Sequence, residues 1–184
     1  MSLDLYKLIW LFPIAFILHD FEELLLFEPW LKKNAGAIKS RVKDRVPAFF
    51  ERQLDVILGK STLEFAFPIC LNFLLACISA LLAGEFGNYS LFLVASSLFF
   101  LHGFMHVGQA VLLRRYVPAL ITSLLVAIPY GALLFRSLIA AGMLAVSTLS
   151  LYFLAALVLA VPFILGIHSL GGYIYKQVMK LFVG

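Results

Sequence analysis

Seven side chains in this sequence have chemistry to offer: His19, Glu22, Glu23, Glu64, His102, His106 and His168. They include all four histidines of the chain, and each lies within or at the end of an apolar stretch. An acidic side chain near the centre of a bilayer costs roughly 2.5–3.5 kcal/mol, so such groups need partners, water or a metal ion. In the run His19-Asp20-Phe21-Glu22-Glu23, helical geometry sets Glu22 about 60° to one side of His19 and Glu23 about 40° to the other. All three share a face, with Asp20 further round as a supporting group. His102, His106 and Gln109 follow at i, i+4 and i+7, which is again one face. Two imidazoles one helical turn apart can hold a single ion.

Four imidazoles and three carboxylates exceed the three protein ligands of a catalytic zinc. A mixed nitrogen and oxygen set of this size suits one or two transition metal ions, iron or zinc. The leading expectation is a membrane-embedded metal-dependent enzyme acting on a lipophilic substrate. Its chemistry leans to a di-iron-type oxidoreductase in which all seven residues hold metal and a cytoplasmic donor supplies electrons. One alternative is a zinc-dependent intramembrane hydrolase in which Glu22 or Glu23 is the catalytic base. Another is a divalent cation or proton transporter, disfavoured because the outer halves of the helices carry almost no ionisable groups. A haem protein ranks last, since the paired acids would have no role in it. Plainer roles exist for single members. Glu64 could cap a helix behind Ser61, His168 could be solvated at the interface, and any one histidine could bond helix to helix.

The elements that must position these groups follow from composition. Of 184 residues, 63% are hydrophobic and 13% charged, against about 25% charged in a soluble domain. The mean hydropathy is +1.03. Lipid must be the solvent, which excludes a soluble enzyme, a nucleic-acid-binding module and a disordered chain. The expected architecture is all-α: one membrane domain of residues 1–184, an integral membrane bundle of five transmembrane helices at about 5–27, 62–84, 90–113, 118–136 and 142–169. Cys70 and Cys77 share one apolar helix and read as small packing residues. Ala80 and Gly84 permit close helix contact.

Charge orients the bundle. Lys32, Lys33, Lys39, Arg41, Lys43, Arg45, Arg52, Lys60, Arg114, Arg115, Lys176 and Lys180 share one side, and only Lys7 and Arg136 lie on the other. The positive-inside rule then sets the amino terminus outside and the carboxyl terminus in the cytoplasm. It also explains the pI of about 9.1 without nucleic acid. In this topology every candidate ligand lies in the cytoplasmic half of the membrane. Between the first two helices, Ile38, Val42, Phe49, Phe50, Leu54 and Ile57 recur at helical steps among basic residues. An amphipathic segment over about 36–58, interrupted near Pro47, is expected in the cytoplasmic headgroup layer.

His19-Asp20-Phe21-Glu22-Glu23 has the form H-x-x-E-E, and Tyr116-Val117-Pro118-Ala119 has the form Y-x-P-G with Ala for Gly. With a later histidine, His102 or His106, the chain resembles the HXXEE family of small integral membrane proteins across about its first two-thirds. The resemblance implies site residues more than an activity, because that family has none assigned.

Overall fold

The computed structural model describes residues 3–42, 52, 55, 56 and 58–183, and every element among them is helical. Five long helices follow one another. They are α1 (Leu3–Val42), α2 (Thr62–Phe86), α3 (Ser90–Leu113), α4 (Leu120–Ala140) and α5 (Val146–Phe182). Short turns make neighbours antiparallel. Phe27 stacks on Phe65 at one end of the α1–α2 pair, and the Tyr6 hydroxyl donates to Glu85 at the other. α2 in turn packs on α3 and α5.

Four helices, α2 to α5, are long and apolar enough to cross a membrane, where five were expected. α1 departs because Asp20, Glu22 and Glu23 interrupt its apolar run between Lys7 and Glu28. Two of those acids, Glu22 and Glu23, are among the seven side chains sought. α1 also runs on far past residue 27. Residues 36–42 of the expected interfacial segment are its last turns, and Ile38 is buried in a cluster with Phe27, Leu31, Phe65 and Ile69. Ile38 of that stripe thus faces protein. Residues 43–51, 53, 54 and 57 of that segment lie outside the described residues.

The start of α2 is doubly capped. The Ser61 hydroxyl accepts from the Glu64 N–H at 3.2 Å, and Glu28 of α1 accepts from the Thr62 N–H at 2.6 Å. The fifth helix, expected to stop at 169, continues to Phe182 through Gly171 and Gly172. Glycine here answers a packing need. A Cβ on Gly171 would lie 2.5 Å from the Pro68 ring, so α5 crosses α2 in near backbone contact. Gly84 likewise makes room for the Trp10 indole, and Ala80 is wholly buried. Away from the acids the core is aromatic. Phe12 packs against Phe92, Phe99 and Tyr130 at ring separations of 5.5, 5.8 and 6.1 Å.

Candidate metal centre

α1 and α3 each present one i, i+4 pair across their contact: His19 with Glu23, and His102 with His106. One donor atom from each of these residues lies within 4.8 Å of the other three. The Nε2 atoms of His102 and His106 are 2.9 Å apart, and Glu23 Oε2 lies 3.7 and 3.9 Å from them. Ligands held at about 2.0–2.1 Å from a tetrahedral ion sit roughly 3.4 Å from each other, so the four donors have the spacing of a coordination shell. His19 is fully buried, and its ring meets Phe99 edge-on at 5.3 Å.

His19 Nε2 and His106 Nδ1 are buried without a hydrogen-bond partner. A buried polar atom left unpaired costs about 1–3 kcal/mol. A cation among the four donors would satisfy His19 Nε2, so the residues present fit a metal ion. The His102 side chain, 28% exposed, marks the accessible side of the group. Asp20, 5% exposed, is buried next to His19 in the chain.

The remaining expected ligands lie apart from these four. Glu22 is engaged with the turn between α3 and α4. Its Oε1 accepts from the Tyr116 hydroxyl and the Ile121 N–H, and its Oε2 from the N–H and hydroxyl of Thr122 at 2.7 and 2.6 Å. Two donors on each oxygen saturate a carboxylate. Glu22 therefore caps the start of α4 and has no lone pair to give an ion or a substrate proton. Burial and the adjacent Glu22 carboxylate push the Tyr116 hydroxyl pKa up, which keeps it a donor. Glu64 stands in the first turn of α2, where Ser61 caps its N–H. His168 stacks on Phe65 at 5.4 Å, with Nδ1 buried and unpartnered.

The turn that Glu22 grips is fixed from several sides. The Trp30 indole N–H donates to the Tyr116 carbonyl at 2.7 Å, and Arg115 donates to Asn34 Oδ1 at 2.6 Å. Ala119, buried, adopts φ +64, the left-handed conformation that glycine takes readily. This aims the next N–H groups at Glu22. Thr122 then touches both acid and imidazole, with its Oγ1 3.3 Å from His19 Nδ1. A π-helical segment, Ser123–Ala127, follows at once, and such segments recur at functional sites.

The residues that sequence reasoning did not single out are Thr122, Trp30 and Asn34. Thr122 carried no signal of its own. It is found only by following Tyr116-Val117-Pro118-Ala119 one turn further.

Neither a curated protein nor a solved structure matches the chain. A family described as protein of unknown function with HXXEE motif matches residues 10–134. That span takes in the four clustered donors and the turn held by Glu22, and the chain belongs to this HXXEE-motif family.

Proposed function

We propose that this protein is a membrane-embedded metal-dependent enzyme acting on a lipophilic substrate, with His19, Glu23, His102 and His106 as its metal ligands. The observation that carries the proposal is the convergence of four residues' donor atoms within 4.8 Å, beside a buried His19 Nε2 that has no partner. Four donors about one point suit one ion rather than two, and iron or zinc both accept such a set. When bound, the ion supplies Lewis-acid or redox chemistry. Leu25, Leu26, Phe104 and Met105, exposed on the turns that carry the ligands, offer hydrocarbon to a substrate. The basic-residue asymmetry supports an amino terminus outside, α1 as a fifth span and the site in the cytoplasmic leaflet.

Oxidoreductase chemistry is the leading form of this reading. Hydrolysis needs a carboxylate free to take a proton from water. Glu22 is saturated by its four donors and Glu23 belongs to the metal group. Asp20 is the carboxylate left for that task, and its burial at 5% exposure beside His19 makes a zinc hydrolase the second reading. A proton or cation relay would need ionisable groups to continue past the site, where Phe12, Phe92 and Phe99 pack beside the neutral Ser96 and Ser97.

Elemental analysis of the full chain purified in detergent tests the proposal. The expected result is about one iron per chain, lost in His19→Ala and in Glu23→Ala while helical content is kept. Zinc in place of iron would favour hydrolysis. A folded wild type that retains neither metal after reconstitution would sink both readings.

A further inference from the structure

Glu22 and Thr122 stand next to the metal group without belonging to it, and their hydrogen bonds have a direction. The Thr122 hydroxyl has one proton. Four acceptors compete for it: Glu22 Oε2 at 2.6 Å, the His19 ring Nδ1 at 3.3 Å when that nitrogen is unprotonated, the Ala119 carbonyl at 3.4 Å and the His19 carbonyl at 3.5 Å. A hydrogen bond to a carboxylate is the shortest and strongest of such choices, so the proton goes to Glu22. The same carboxylate accepts from three further donors, so every lone pair of Glu22 faces a donor.

With its proton committed, Thr122 Oγ1 can only accept from the His19 ring. His19 Nδ1, 3.3 Å away, must then carry hydrogen. A neutral imidazole has one N–H, so Nε2 is left with its lone pair. That Nε2 is the buried, unpartnered atom. We propose that Glu22 and Thr122 form a positioning relay that fixes His19 as its Nδ1–H tautomer and so presents the Nε2 lone pair to the metal group. The inference rests on the metal reading above for what Nε2 is presented to, and on hydrogen bonding alone for the tautomer.

The relay gives the two motifs of this chain one purpose. The first glutamate of H-x-x-E-E is a positioning residue and the second a ligand. The Tyr116-Val117-Pro118-Ala119 turn and the Ile121 N–H just after it supply donors that keep the first one in place. Metal-ligating histidines are commonly oriented this way through the other ring nitrogen, and losing the partner weakens metal binding about 10–100-fold.

Two readouts on the full-length protein in detergent separate the tautomer from the metal. In metal-free protein, ¹⁵N shifts of the imidazoles, with His19 assigned through His19→Ala, report which nitrogen bears the proton. We expect Nδ1–H in the wild type and in Thr122→Ser, and its loss in Thr122→Val. Titration with cobalt(II) as the metal probe should show about 10–100-fold weaker binding and an altered visible spectrum in Thr122→Val, with Thr122→Ser restoring both. Nε2–H in the wild type would overturn the relay. So would wild-type cobalt affinity and spectrum in Thr122→Val. A wild type that shows the Nδ1–H tautomer yet binds no cobalt would sink the metal reading and leave the relay without its stated purpose.

Discussion

Glu22 and Glu23 flank His19 on one helix face, yet α3 stands on one side of that face and the α3–α4 turn on the other. Their substitutions should therefore fail differently. Glu22→Ala strips the partners from Tyr116, Ile121 and Thr122 at a half-exposed site, and should lower stability by about 1–3 kcal/mol. Glu23→Gln should leave the metal-free protein within about 1 kcal/mol of wild type while abolishing stoichiometric metal. Thermal unfolding in detergent, paired with metal content, reads both, and the reverse pattern would contradict the assignment. The four clustered donors were legible because burying imidazoles and acids in apolar helices demands a reason, and i, i+4 spacing puts two on a face. Helical phase names a face but not the neighbour it meets. Glu22, Glu64 and His168 therefore could not be separated from the clustered four by sequence alone.

At the scale of elements, the turn after α3 decides what Glu22 can do. A left-handed backbone costs an L residue roughly 1–2 kcal/mol, and Ala119 sits there with its methyl buried. Ala119→Gly relieves the strain and forfeits about 0.8 kcal/mol of methyl burial. It should unfold within about 1 kcal/mol of wild type. Ala119→Val adds a branched side chain to the same backbone and should lose about 2 kcal/mol or more. The contrast in thermal midpoints checks the conformation. The cap on α2 carries a pH signature. Lys32 and the Thr62 donors hold the Glu28 pKa down to about 2, below an ordinary value of about 4.3. Its stabilising effect is thus complete above the ordinary value and fades as pH falls through about 2. Amide protection over residues 62–65 should persist at pH 5 and collapse near pH 2. In Glu28→Ala it should be low at both, and equal protection in the two proteins at pH 5 would refute the cap. The four apolar helices α2 to α5 and the limits of α3 were readable from hydropathy. The far ends of α1 and α5 were not: Pro29, Gly36, Gly171 and Gly172 read as helix breakers, yet Phe27, Leu31 and Ile38 pack with Phe65 and Ile69, and Gly171 lets α5 cross α2 at Pro68.

For the whole molecule, orientation is testable by labelling. In a Cys70→Ala, Cys77→Ala background, Lys180→Cys should react with a membrane-impermeant maleimide only from the cytoplasmic side, and Ser90→Cys only from outside. Labelling in the opposite sense would invert the topology and move the site to the outer leaflet. The lengths of the two terminal helices carry a consequence of their own. α1 has 40 residues and α5 has 37, or about 60 and 55 Å at 1.5 Å per residue. A hydrocarbon core of about 30 Å takes up only half of that. Both run antiparallel to α2, so in the proposed topology their surplus turns would emerge on one face, the one nearest His19 and Glu23. The bundle thus raises a twin-stemmed collar at the very rim where an amphiphile's polar head would have to arrive.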